Sequence, residues 1–410
     1  MKFDVLIIGG GLAGLTCGIR LQKNGVKCAI VSTGQSALHF SSGSFDLLNE
    51  LPDGTKVDNP MAAVGKVSAN HPYAKLGSEF AYYVHEAKQQ FLDLGIEVAG
   101  DAEQNHLRIT PMGTLKPTWL TTPFSSVSDM AGKKIRVVNM AGFLDFNTKF
   151  VADSFEKYGA KCQISSINLP ELERLRISPT EMRSTNIARV LENEKTLEAL
   201  IMELAGTVSG FDVVALPAVF GLSSVAPVRR LKEALNIPVW LIPTMPPSVP
   251  GIRAQQQLRR SFEELGGVYM LGDTVVKADF KGNKVQSVYS VNHGDISFVA
   301  ENFVLASGSY FSNGLIAQPD KVIEPVFGSD VDFTPGRDSW YDKSFFNKQN
   351  YMTFGVATDE KLRIKIKGDV QQNLFAVGSV LGGSNTIHEG CGAGVSMLTA
   401  LYVADNLING

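Results

Sequence analysis

The first thirty-five residues alternate between two periods. Residues 3–8 are continuously apolar after Asp4 and end in Gly9-Gly10-Gly11-Leu12-Ala13-Gly14. Residues 12–24 then carry apolar positions at helical spacing, with Gly25 placed to end the helix. Residues 27–32 form a second short apolar run. This predicts strand, glycine turn, helix, strand: a βαβ unit whose parallel strands must be covered on both faces. Residues 32–60 are rich in Ser, Gly and Asp and read as a long functional loop, and a helix is predicted over about 78–94.

The middle of the chain repeats the alternation. Strands are predicted at 134–139, 161–167 and 212–216, with helices at 145–158 and within 184–205. The apolar runs 213–228 and 237–252 are broken by Pro217, Gly221, Pro238, Pro243, Pro246, Pro247 and Pro250. A membrane-spanning helix of about 20 residues rarely tolerates that, so they read as buried strands followed by loops. After them a helix is predicted over 253–265, then strands at 268–271, 275–280 and 285–291, the last two joined by a Lys281-Gly282-Asn283-Lys284 hairpin turn. Two further strands, 302–306 and 373–377, each run into glycine, and a helix closes the pattern over about 393–408. The expected architecture is α/β: a Rossmann-like, FAD/NAD(P)-binding-type domain formed by residues 1–105 and 250–410, with an inserted α/β cap or substrate domain over 106–249.

Composition narrows the choice. With 410 residues and 44% apolar content the chain can bury a large core. A formal charge of -3, with Lys and Arg scattered, argues against a nucleic-acid partner and a polybasic membrane surface. Cys17, Cys28, Cys162 and Cys391 stand far apart and offer no C-x-x-C spacing, so no metal or cluster site is expected and a reducing, cytoplasmic setting is. The N-terminus lacks the pattern of a signal peptide.

The glycines carry the first chemistry. Gly9 permits the tight turn, Gly11 lets backbone approach a phosphate, Gly14 lets helix and strand pack, and the helix N-terminus presents N–H groups to the anion. The strand at 302–306 leads to Gly308, and the strand at 373–377 to Gly378 and Ser379. These three strand-to-glycine turns together resemble the two-dinucleotide-binding-domain flavoprotein superfamily. In that superfamily an acid closes the second strand and another follows the C-terminal glycine. Here Ser32 or Thr33 stands at the first place and Ser379 at the second. A missing ribose acceptor is worth about 1 to 3 kcal/mol. FMN therefore becomes the expected cofactor, with FAD as the alternative.

Three segments are more specific. Gly34-Gln35-Ser36-Ala37-Leu38-His39-Phe40-Ser41-Ser42-Gly43-Ser44, Pro243-Thr244-Met245-Pro246-Pro247-Ser248-Val249-Pro250-Gly251-Ile252-Arg253 and Gly378-Ser379-Val380-Leu381-Gly382-Gly383 are similar to the B-subunit family of anaerobic glycerol-3-phosphate dehydrogenase. The resemblance implies a respiratory enzyme that oxidises sn-glycerol 3-phosphate to dihydroxyacetone phosphate and passes electrons through quinone to fumarate or nitrate. It also implies two partners: a catalytic A-subunit that carries FAD, and an iron-sulfur, membrane-anchoring C-subunit. The second of these would hold this chain at the inner face of the cytoplasmic membrane. Two other readings stand beside it: an electron-relay or assembly role, and a stand-alone flavin oxidoreductase.

Candidate working residues follow. His39, in the Ser/Gly-rich loop, either serves flavin or substrate or is structural; Ser41, Ser42 and Gly43 would let backbone approach the ring. Arg253, at a predicted helix start where a cation opposes the helix dipole, is an expected phosphate ligand, with Arg183 weaker. His388, Gly392 and Gly394 lie where the last helix opens, and its N-terminus can stabilise negative charge on a reduced flavin. Cys391 reads as packing.

Overall fold

The computed structural model describes residues 1–122, 127, 129–178 and 180–410. The chain begins with β1 (Lys2–Ile8), α1 (Leu12–Lys23) and β2 (Cys28–Ser32), followed after the long loop by α2 (Phe80–Asp93). A short hairpin of His106–Ile109 and Leu115–Thr118 precedes β3 (Lys134–Met140), α3 (Thr148–Lys157), β4 (Lys161–Ile167), α4 (Ser184–Leu191), α5 (Glu194–Thr207), β5 (Val213–Pro217), α6 (Ala226–Ala234) and β6 (Val239–Ile242). Then come α7 (Val249–Glu264), β7 (Val268–Leu271), the hairpin β8 (Val275–Lys281) and β9 (Lys284–Ser290), β10 (Val299–Leu305), β11 (Arg363–Ile366), β12 (Asp369–Ala376) and α8 (Gly392–Asn409).

The large sheet has the order β7-β2-β1-β10-β12-β11, parallel throughout except for its last pair. Strands far apart in sequence thus stand side by side: Ile8 is level with Leu305, and Leu305 with Ala376. The inner strands are apolar because helices cover both faces. Leu6, Ile7, Ala29, Ile30, Phe303, Val304 and Leu374 are all fully buried.

Helix α1 is clamped between α7 and α8. A Cβ at Gly18 would lie 2.7 Å from the Phe262 ring of α7. On the other flank Arg20 forms a bidentate pair with Asp405 of α8 (2.7 and 3.0 Å) and reaches Glu86 of α2 at 2.8 Å. Guanidinium and carboxylate match in this two-pronged geometry, which fixes three helices relative to one another.

A second, all-parallel sheet has the order β6-β5-β3-β4 and its own core, including Val137, Phe155, Leu200, Val214 and Ile242. Ile109 belongs to this core whereas Trp119 and Leu120 belong to the first, so the chain crosses between the two bodies at the short hairpin.

Two elements differ from the sequence reading. The helix expected from 253 begins at Val249: Pro250 lies in its first turn, where the missing N–H costs nothing, and Ser248 caps it by accepting the Gly251 N–H. Residues 226–234, to which the sequence pattern assigns no helix, form α6, again with proline in the first turn.

Two glycine substitutions test this packing. A Cβ on Gly14 would overlap the carbonyl oxygen of Gly9, so Gly14→Ala should cost about 1–3 kcal/mol by overpacking. Gly206, in α5, has nothing within 4 Å of that position, so Gly206→Ala should stabilise by about 0.5–1 kcal/mol. Thermal unfolding of the two variants should therefore move in opposite directions.

Candidate functional site

Strands β1, β10 and β12 end at one edge of the large sheet, and each turns there on a glycine. The Gly9 N–H donates to Val31 O (2.8 Å), Ala306 N–H to Ile8 O (2.8 Å) and Val377 N–H to Leu305 O (2.9 Å), which binds the three turns together. Gly9, Gly308 and Gly378 all have positive φ, at 116°, 81° and 76°. A side chain at Gly9 would meet the Ala306 carbonyl, and one at Gly378 would lie 2.8 Å from the Ala13 Cβ. The structure thus brings Gly9, Gly11, Gly14, Gly308, Gly378 and half-buried Ser379 to one place. This is the carboxyl edge of a parallel sheet, where ligands of such folds bind.

Protein atoms close off Gly9, Gly10 and Gly14, but a Cβ at Gly11 would make only an ordinary contact with Ser36, at 3.6 Å. Gly11 is also the N-cap of α1, which has no side-chain cap and no acid in its first turn. Uncapped first-turn amides carry partial positive charge, so this end of α1 fits a phosphate. Beside it the Ser307 hydroxyl is buried with no partner among the described residues, a further group able to meet a ligand. These features fit a flavin nucleotide.

The neighbouring strand end is different. Ser32 donates to Gly34 O (3.0 Å), and Thr33 Oγ1 accepts from Thr274 Oγ1 (3.1 Å). Tyr269 of β7 crosses above Ser32, its hydroxyl donating to Gly10 O at 3.1 Å. The Arg259 guanidinium covers the Tyr269 ring at 4.6 Å. Tyr269 therefore occupies the space over Ser32 and Gly10, and burial pushes its hydroxyl pKa up.

The Ser/Gly-rich loop packs on the start of α7. Ser248 N–H donates to His39 O (2.8 Å), Ser36 donates to Gln255 Oε1 (2.9 Å), and a Cβ at Gly43 would lie 2.6 Å from Pro250. Ser41 Oγ accepts the Gly43 N–H at 3.2 Å, and the Ser42 and Ser44 hydroxyls are 2.7 Å apart. His39 itself is half-buried, and burial lowers its pKa, keeping the imidazole neutral near pH 7.

Arg253 departs from expectation. It lies inside α7, 6% exposed, and its Nη1 donates to the carbonyls of Phe220 (3.0 Å) and Gly221. The structure therefore gives it backbone acceptors from the segment after β5 in place of the expected phosphate at a helix start. Burial pushes its pKa down to about 10. Arg183 pairs with Asp145 at 2.9 Å.

At α8, Cys391 is the N-cap and provides no side-chain cap. Gly392 has only ordinary contacts with Thr386 and opens a helix that no side chain caps, whereas Gly394 is a correction. Its N–H donates to Asp46 O (3.0 Å), and a side chain there would strike Tyr73 and Leu47, so packing explains that glycine. His388 lies in the turn ahead of the helix, with Nδ1 2.9 Å from Glu50 Oε1, and lines a cavity of about 220 Å³ with Asn385, Asn350 and Lys348.

Sequence reading missed His71, because nothing near it in the chain marks it. It is fully buried, with Nε2 3.3 Å from Glu389 Oε2 and 3.8 Å from Cys391 Sγ. The three have the composition of a metal site. However, Nδ1 accepts the Tyr73 N–H at 3.0 Å, so the neutral ring carries its proton on Nε2 and presents no lone pair to an ion there. Burial pushes the Cys391 thiol well up, which makes it a packing group.

The sequence matches the family described as FAD binding domain over residues 4–395, and the chain belongs to that family of flavoproteins. Within it, the chain is 44% identical over its whole length to the B-subunit of anaerobic glycerol-3-phosphate dehydrogenase from Yersinia enterocolitica, covering 99% of that protein, and 41% identical to its counterpart from Glaesserella parasuis, covering all of it. It belongs to this B-subunit family. Among solved structures it is similar to 3-ketosteroid delta1-dehydrogenase from Sterolibacterium denitrificans (10% identity, TM-score 0.45, 100% of this chain and 99% of that one). It is also similar to E. coli quinol fumarate reductase FrdA (9%, 0.45, 100% and 70%).

The lowered pKa values have a consequence in acid. His39 and His106 are both held below 6.5 by burial, while in the unfolded chain each takes up its proton near 6.5. Their contribution to stability is therefore complete above that pH and declines as pH falls below it. Thermal unfolding between pH 8 and 5 should show this decline, and His39→Asn should make it shallower.

Proposed function

We propose that this chain is the flavin-carrying B-subunit of an anaerobic glycerol-3-phosphate dehydrogenase. It would take part in oxidising sn-glycerol 3-phosphate to dihydroxyacetone phosphate within an assembly that includes a catalytic, FAD-carrying A-subunit together with an iron-sulfur C-subunit that serves as the membrane anchor. Full-length identity of 44% to proteins of that name is the observation that carries the reading. Among the described residues no helix is long and apolar enough to cross a membrane, so attachment to a membrane, and electron delivery to quinone for fumarate or nitrate, fall to the partners.

The cofactor proposed is FMN, with FAD the alternative that the family description favours. Its phosphate would sit on the amides around Gly11, and the ring near the uncapped amide end at Gly392. Tyr269 supports the mononucleotide, because its hydroxyl and the covering Arg259 fill the space over Ser32 and Gly10 that an adenosine ribose would need. When bound, the flavin supplies the hydride acceptor for the secondary alcohol carbon. His39 is the proposed base: a neutral, half-buried imidazole that can take the hydroxyl proton.

Release and chromatography of the flavin should give FMN at about one per chain, and addition of glycerol 3-phosphate to the assembled enzyme should bleach the flavin absorbance. FAD in place of FMN would overturn the role given to Tyr269, and absence of bleaching would overturn the assigned substrate. His39→Asn should lower kcat about 10²- to 10⁴-fold with flavin content unchanged.

A further inference from the structure

The short hairpin carries charges that the described residues do not balance. Its register sets Arg108 directly opposite Lys116 and His106 opposite Thr118, so His106, Arg108 and Lys116 share one face. Like charges directly opposed on a β-pair destabilise it. The carboxylate that meets them is Asp46, whose Oδ2 accepts from Lys116 Nζ at 2.9 Å. Among the described residues the buried Arg108 Nε has no acceptor. Two permanent cations thus face one carboxylate. A basic pair left with an excess positive charge and an unused guanidinium donor is the arrangement that an anion completes.

The remaining groups define the anion further. Among the described residues Asp46 Oδ1 and Asn49 Oδ1 are buried acceptors without a donor, Asn49 being held to the hairpin by its Nδ2, which donates to Pro117 O at 2.8 Å. His106 Nδ1 is also buried and unpartnered, its Nε2 lying 3.0 Å from Thr121 Oγ1. Unsatisfied buried polar groups are destabilising, so a cluster of them, donors and acceptors together, fits a ligand that offers both hydroxyls and an anionic oxygen. The cluster adjoins the candidate flavin site: Asp46 follows the Ser/Gly-rich loop, and its carbonyl accepts the Gly394 N–H of the last helix's first turn.

We infer that the hairpin face of Arg108, Lys116 and His106, with Asp46 and Asn49, binds a hydroxylated phosphate monoester, and that this ligand is the phosphate end of the substrate. Arg108 and Lys116 bind the phosphate; Asp46 and Asn49 accept from its hydroxyls. The assignment to substrate rests on the function proposed above. The same chemistry is present in the ribityl phosphate of FMN, so the test must separate the two sources.

The test is calorimetric titration of the flavin-loaded chain with glycerol 3-phosphate and, separately, with inorganic phosphate. Arg108→Gln and Lys116→Gln should each raise the Kd for both ligands at least about tenfold, or about 1.4 kcal/mol, with flavin per chain unchanged. Arg108→Lys, which keeps the charge but loses the planar donor, should weaken binding less than Arg108→Gln. If Arg108→Gln does not fold, Lys116→Gln carries the test, since its side chain is 38% exposed. Loss of flavin with glycerol 3-phosphate binding intact would assign the charges to the cofactor and overturn the proposal, as would unchanged binding in both variants or no binding by the wild-type chain. Bleaching of the assembled enzyme by glycerol 3-phosphate judges the function separately, so either can fail while the other stands.

Discussion

The structure depends on one constraint: three parallel strand ends, β1, β10 and β12, must lie level so that their glycine turns meet at the N-terminus of α1. Hydrogen bonds from Gly9, Ala306 and Val377 to the adjoining strands hold that level. Substitution at Gly9 would push apart the ends of β1 and β10, and substitution at Gly14 would separate α1 from β1, because a Cβ at either would run into backbone. The first-turn amides that result carry no side-chain cap and no acid and form a positive dipole end, which an anion stabilises.

Much of the remaining architecture is attached around this edge. The Ser/Gly-rich loop leaves β2, packs on the first two turns of α7 through Ser36, His39 and Gly43, and continues to Asp46 beside the last helix. Arg253 then ties α7 to the second sheet by donating to the carbonyls of Phe220 and Gly221. A guanidinium buried without a carboxylate has a lowered pKa, and the two carbonyl acceptors are what let it remain there. The second body thus meets the first through α7 and the short hairpin, so groups from both border the same region.

The local half of this design was legible. Period and glycine placement located β1, α1 and β2, the strands leading to Gly308 and Gly378, and the second α/β alternation, because those signals depend on neighbours in sequence. One helix start was misread for a local reason: Pro250 looks like a breaker but sits in a first turn, where proline is tolerated. What stayed hidden depends on contacts across the chain. Tyr269 matters because register sets it beside Ile30 and sends its hydroxyl to Gly10, about 260 residues away. His106 and Arg108 become a cluster only when Asp46 lies beside them. Gly394 looked like a ligand-facing glycine, yet Tyr73 and Leu47 fill its missing side chain.

The most direct test of this account is phosphorus NMR of the purified, flavin-loaded chain. A single phosphomonoester resonance whose shift stays constant between pH 5 and 8 is predicted, since a phosphate held dianionic on the α1 amides is shielded from titration. A pair of pyrophosphate resonances, or one monoester signal that titrates as in free solution, would contradict it.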